Sequence, residues 1–240
     1  MSFNNTTTLT DQLPTCPPDF RMTAKVWSEI MSFKTVAALK DPQFFVRPGI
    51  RPTDLFAVQS NRATLPGYRF IRKVNIRQML LFVGGACIDD EARGARAGWA
   101  ICVGPGSVIK GRVECPEAET ESGQISNRVE LQSAIVALSL QSWKGEGFNS
   151  VVVATDSKYV VKGYCDWLPL WKRRKWKTES GTDVVNRDDW EALEKKIHML
   201  ARNSVRVRFW RVPSEWNEAS KYARQATKED LKPDDIIFTG

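Results

Sequence analysis

Apolar and polar positions alternate in a regular way only from about Gln78 onward. MLLFVGG is a short apolar run ending in glycines, which suits a buried strand. A polar, glycine-containing loop, IDDEARGAR, follows. Then come two strand-like runs, GWAICVG and SVIKGRVE, separated by Gly104-Pro105-Gly106. That tripeptide is a strong turn signal, so the two runs predict a hairpin. In SNRVELQSAIVALSLQSW, residues Val129, Leu131, Ala134, Ile135, Leu138 and Trp143 recur on a helical period. Ser126 or Asn127 is placed to cap that helix, which puts Glu130 in its first turn. SVVVAT reads as another buried strand, followed at once by Asp156. SKYVVKGY predicts a short helix and DDWEALEKKIHMLAR an amphipathic one. VRVRFWRV alternates basic and apolar residues, as a strand with one buried face does. A last helix begins near Asn217. The predicted order is three consecutive strands, helix, strand, helices, strand, helix.

The chain ahead of this block is different. Residues 1–20 are polar, threonine-rich and proline-punctuated, which predicts a disordered tail. From Met22 to Ala38, Val26, Trp27, Ile30, Met31 and Phe33 recur at helical spacing. Between Asp41 and Gly67, prolines at 42, 48, 52 and 66 argue against long regular elements. Residues 21–77 therefore read as an irregular extension packing on a main domain at 78–228, with a C-terminal tail at 229–240.

Composition narrows the class. With 240 residues, 42% of them hydrophobic, the chain can bury a core, and 26% charged residues argue against wholesale disorder. The formal charge of +7 favours a polyanionic partner. Five scattered cysteines, with no close pair, predict reduced and mostly buried thiols. The N-terminus has no basic start followed by an apolar run, and no stretch approaches the ~18 apolar residues of a membrane helix. The expectation is an intracellular protein, cytoplasmic or nuclear, with no membrane partner.

Candidate chemistry comes from carboxylates set directly after buried strands or at a helix start. Such placement gathers negative charge at one sheet edge, where divalent cations can stabilise the attacking and leaving oxygens of a phosphodiester. Here four places share one predicted edge: the end of LLFVGGAC, Glu130, Asp156 and the start of the final helix. The motifs LLFVGGAC, SNRVELQSAIVAL, VVVATDSKYV, WKRRKWKT with VNRDDWEAL, and VRFWRVPSEWNEASKYA occur in that order. Together they resemble the type 1 ribonuclease H family, especially its fungal-looking form, over about two thirds of the chain.

The resemblance implies an α/β ribonuclease H-like fold, a mixed five-stranded sheet flanked by helices. It also implies an Asp-Glu-Asp-Asp set holding two Mg2+ ions that cleave the RNA strand of an RNA–DNA hybrid. Glu130 and Asp156 match two retained members of that set, as catalytic and metal-binding residues. Gly84, in FVGGAC, stands where the family has its first Asp, and Lys221, in WNEASKYA, where it has its last. No histidine corresponds to the one bacterial members carry before the final helix, and His198 lies on the preceding helix.

These departures predict a weak or vestigial metal site. Lys221 would put an ammonium near a metal position, where it could pair with Asp156. Glu218, Asp89 and Asp90 are the carboxylates that could compensate. Binding features are better kept: Asn127 and Arg128 match a backbone-contacting loop. Trp171, Lys172, Arg173, Arg174, Lys175 and Trp176 match the family's basic protrusion, with Trp167 and Lys177 beside them. The reading is a nucleic-acid-binding protein of RNA–DNA hybrid or duplex with impaired catalysis, requiring Mg2+ only if active. Two alternatives stay open: an active ribonuclease H with a rearranged site, and a module that has exchanged nucleic acid for a protein partner.

Overall fold

A computed structural model describes residues 45, 49–61, 67–90, 94–113, 122–229 and 236–239. All lie in one compact unit, Pro42–Gly240. The tail at 1–20, the helix expected over 22–38, Cys16 and Cys115 fall outside the described residues. Cys102 and Cys165 are free thiols, and Cys87 Sγ donates to the Ile88 carbonyl at 3.9 Å.

The centre of the fold is β3 (Asn75–Asp90), whose residues Met79 to Val83 are all buried. A strand apolar on both faces must have layers above and below it. On one side β3 pairs in parallel with β6 (Ser150–Thr155), which pairs in parallel with β7 (Arg206–Arg211). On the other side it pairs antiparallel with β4 (Gly94–Gly104), which forms the expected hairpin with β5 (Ser107–Val113). The order β5-β4-β3-β6-β7 is the mixed five-stranded sheet the resemblance implies.

The sheet runs further than that expectation, to eight strands. β1 (Phe56–Asn61) and β2 (Gly67–Arg72) pair with each other, and β2 pairs with the first part of β3. Of the prolines that argued for irregular chain here, Pro42, Pro48 and Pro66 fall outside the described residues. Pro52 opens the short helix α1 (Pro52–Leu55), where its missing N–H costs nothing. A buried ion pair between Arg69 and Glu146, 3.5 Å, and a hydrogen bond from Gln78 Nε2 to Ser150 Oγ, 2.8 Å, hold this end of the sheet. At the far edge β8 (Ile236–Thr239), expected as tail, pairs with β5.

Helices cover both faces. α2 (Ser122–Ser139) and α5 (Arg187–Arg202) bury Val129, Leu131, Leu138, Trp190, Leu193 and Ile197 on one face. α2 starts four residues before Ser126, so neither Ser126 nor Asn127 caps it, and Glu130 lies well inside the helix. α3 (Lys158–Lys162) continues through one π-helical turn, Gly163–Trp167, into α4 (Leu168–Arg173). Gly163 is required there, since a Cβ would sit 2.1 Å from the Trp190 ring. None of these helices is long and apolar enough to cross a membrane.

The other face carries α6 (Ser220–Ala226), preceded by a 3-10 turn at Ser214–Trp216; the helix expected from about Asn217 begins three residues later. Ala219, Ala223 and Ala226 are fully buried, and small residues let the helix lie close on the sheet. A Cβ on Gly98 of β4 would stand 2.9 Å from Ala223 O, Ala226 Cβ and Thr227 N. Gly98→Ala is expected to push α6 outward and to cost about 1–3 kcal/mol in urea denaturation.

Candidate functional site

Parallel pairing of β3 and β6 brings their C-terminal ends to one edge, so Val83-Gly84 and Thr155-Asp156 are neighbours. Local turn chemistry then aims the side chains. Thr155 Oγ1 accepts the Ser157 N–H at 3.1 Å, and Ser157 Oγ accepts the Val160 N–H at 3.1 Å, capping α3. The same Ser157 hydroxyl donates to Glu130 Oε2. Glu130 reaches this edge because α2 touches β3 at Gly85. A Cβ there would lie 2.8 Å from the Glu130 nitrogen.

Burial pushes the Glu130 carboxyl up to about 7, against the Ser157 hydrogen bond and with help from the Asp156 charge. Asp156 has a different set of partners. Asn217, buried, donates Nδ2 to Asp156 Oδ1 at 2.7 Å and to the Val83 carbonyl at 2.9 Å, while its Oδ1 accepts from Ala219 N at 3.1 Å. Ser220 Oγ donates to the same Asp156 oxygen at 3.4 Å. Sequence reasoning quoted Asn217 within its motif but assigned it no role, and it missed Ser220.

Gly84 lies against α6: a Cβ would stand 3.3 Å from the Ala219 carbonyl carbon and the Ser220 nitrogen. Lys221 does not take the place expected for it. It is exposed, its Nζ lies 4.8 Å over the Tyr222 ring, and among the described residues no ion pair joins it to Asp156. Glu218 is exposed at the mouth of a separate cavity, and the Asp89 and Asp90 side chains fall outside the described residues. Among the described residues no three His, Cys, Asp or Glu side chains form a metal-holding group. Among the described residues the carboxylates at this edge are Glu130 and Asp156, fewer than a pair of magnesium ions takes. His198 sits half-buried on α5, where burial lowers its pKa.

The expected basic protrusion is α4 and the turn after it. Its tryptophans are structural first. Trp171 packs on Trp167 and Trp190 with ring centroids 5.8 and 5.4 Å apart, and Trp176 lies under the Arg187 guanidinium at 5.0 Å. Several expected phosphate contacts already have acidic partners. Lys172 Nζ is 2.6 Å from Glu194, Lys177 is 2.7 Å from Asp183, and Arg128 bridges Asp188 and Asp189 at 3.2 and 3.3 Å. Arg173, Arg174 and Lys175 are exposed, with no acidic partner among the described residues, and Asn127 is half-buried on α2.

The α4 terminus returns the Trp176 N–H to the Trp171 carbonyl at 2.7 Å and the Lys175 N–H to the Lys172 carbonyl at 3.3 Å. Lys175 and Trp176 hold φ of 53° and 63°, a region that favours glycine.

The Glu130 proton makes stability depend on pH. The folded chain keeps it up to about pH 7, whereas the unfolded chain releases it near the ordinary value of 4.5. Its stabilising effect is fully present below 4.5 and lost as pH rises through 7. Glu130→Gln is expected to match the parent below pH 4.5 and to exceed it above 7 by up to about 3 kcal/mol, read by urea unfolding across that range.

Residues 76–211, more than half the chain, match the sequence model of RNase H. Ribonuclease H of Cyanothece sp. is 37% identical over 116 residues, covering 48% of this chain and 67% of that protein. Ribonuclease H1 of Homo sapiens is 27% identical over 156 residues, covering 63% of this chain but only half of its own length. Among solved structures, LC9-RNase H1, a type 1 RNase H with the type 2 active-site motif, aligns with a TM-score of 0.45. It is 22% identical over 68% of this chain and 78% of that one. On the sequence match, carried by the strands and helices just described, this chain belongs to the ribonuclease H family.

Proposed function

We propose that this chain binds RNA–DNA hybrid or duplex and cleaves it poorly or not at all. The observation carrying the second half is Gly84. The family's bridging carboxylate has no counterpart there, and the backbone of α6 occupies the adjacent space. Two carboxylates remain. Burial pushes the Glu130 carboxyl up to about 7, so about half of it is ionised at neutral pH, and Asp156 already accepts from Asn217 and Ser220. A lone magnesium can be held by one or two carboxylates with several waters, but a two-cation arrangement has too few ligands.

Binding is supported by family membership, the +7 charge and the cationic end of α4. Arg173, Arg174 and Lys175 are the residues we assign to phosphate. Arg128 and Lys172 would have to leave their acidic partners to contribute. This makes the electrostatic footprint smaller than a count of cations suggests.

Purified protein is expected to leave 5′-labelled RNA–DNA hybrid intact in magnesium or manganese. Efficient turnover abolished by Glu130→Gln would overturn the impaired reading and favour a rearranged active site. Gly84→Asp with Ser220→Asp places carboxylates on both sides of Asp156 and is expected to raise magnesium affinity in calorimetry.

The binding half is tested by salt dependence. Each phosphate contact adds about 0.9 to the log–log slope on duplex DNA, so Arg173→Ala with Arg174→Ala is expected to flatten it by about 2. Lys175→Gly is expected to weaken binding while raising stability by about 1 kcal/mol, because glycine accepts the left-handed backbone. Fluorescence anisotropy and thermal melts read the two effects separately. An unchanged slope in the double variant would remove α4 from the interface.

A further inference from the structure

Outside the carboxylate edge and the cationic end of α4, the end of the sheet built by β1 and β2 carries its own surface. A cavity of about 260 Å3 opens between β1 and the turn before α6. Its floor is apolar: Phe56, Val58, Phe70, Leu80 and Phe82. Its walls are Arg51, whose guanidinium stacks 5.6 Å over the Trp216 ring, and the carboxylates Glu215 and Glu218 at the mouth. Residues 51–70 precede the stretch that matches the family, so this surface is an addition to the bare domain.

Two further observations concern the same place. Among the described residues β1 pairs only with β2 and no strand lies on its outer backbone edge, and FAVQSN holds none of the Lys, Pro or Gly residues that blunt edge strands. Exposed apolar side chains also collect here. Of seven large ones among the described residues, Val58, Tyr68, Val74 and Ile76 lie between β1 and the start of β3. Val58 is 49% exposed and Tyr68 58% exposed. Val58 pairs with Phe70, and Tyr68 pairs with Ser60 two residues further along β1, so both side chains share the cavity's face.

We propose that this surface binds an extended peptide segment of a protein partner, added as a strand to the outer edge of β1. One apolar side chain enters the cavity, and a Lys or Arg two positions away meets Glu215 and Glu218. Added strands draw affinity from main-chain hydrogen bonds and specificity from pockets for alternate side chains, and both halves are present. Charge selects among occupants. The lining residues Glu215 and Glu218 draw a basic side chain to their rim, away from Arg72 over the Phe56 ring and Lys73 on the Thr53 carbonyl, and a second copy of a chain carrying +7 is repelled by the first.

The test is selection of random heptapeptides displayed on phage against the full folded chain. Expected is enrichment of sequences with an apolar residue and a Lys or Arg two positions from it. A synthetic peptide of the leading sequence should lose affinity at least about tenfold with Val58→Glu. Glu215→Lys with Glu218→Lys should do the same, and both changes are at exposed positions. Arg173→Ala with Arg174→Ala should leave peptide binding unchanged, which separates this surface from the nucleic-acid interface.

No enrichment, enrichment of acidic peptides, or equal binding by both cavity variants would overturn the proposal. So would competition by a ten-residue oligothymidylate that Val58→Glu removes, which assigns the cavity to nucleic acid. A concentration-dependent dimer in sedimentation, dissolved by Val58→Glu, would assign it to a second copy.

Discussion

The site depends on how closely two helices approach the end of β3. Successive residues of a strand face opposite sides, and here both are glycine. Gly84 faces α6 and Gly85 faces α2, and each meets helix backbone at the distance of a Cβ contact or less. Gly85 is what lets Glu130 reach the sheet edge from the middle of α2. Gly84 has the opposite consequence. A side chain there needs α6 to yield by a few tenths of an ångström, so glycine at this position and the close packing of the last helix go together.

Charge around α4 and the start of α2 is governed by α5. Its first turns carry Asp188, Asp189, Glu191 and Glu194, which hold Arg128, Arg187 and Lys172. Exposed pairs of this kind add little to stability. They matter more as a standing competition: a phosphate approaching Arg128 must displace a carboxylate already within hydrogen-bonding distance. Arg173, Arg174 and Lys175 escape this because they follow α4 into a turn with left-handed backbone at Lys175 and Trp176. Accepting that backbone with a lysine instead of a glycine is a cost the turn carries for presenting a third cation.

Much of this was legible in the sequence. Short apolar runs located β3 and β6, and the Gly-Pro-Gly turn located the β4–β5 hairpin. Glu130 and Asp156, expected at one sheet edge with Gly84, do lie together there. What failed depends on distance in space. Prolines flanking residues 56–72 resemble those of a loop, and only pairing with β3 makes strands of that segment. The start of α2 was misplaced because a good capping residue inside a helix looks the same as one at its end. Lys221 and Ser220 are adjacent in sequence, and which of them faces Asp156 depends on the rotation of α6, which the small-residue contacts at Ala219, Ala223 and Gly98 set.

The Asp156 environment shows why the altered edge is self-consistent as a protein structure. A carboxylate cluster without cations is destabilised by its own repulsion, and burial sharpens the effect. This edge has met that constraint twice over. Burial pushes the Glu130 carboxyl up to about 7, which halves its charge against Asp156 at neutral pH. Asp156 in turn receives the amide of Asn217, which also binds the Val83 carbonyl and so ties the ends of β3 and β6 to the turn before α6. Amide and hydroxyl donors place positive potential at one carboxylate oxygen of Asp156. The Asn217 amide thus joins the ends of β3 and β6 through hydrogen bonds within the chain.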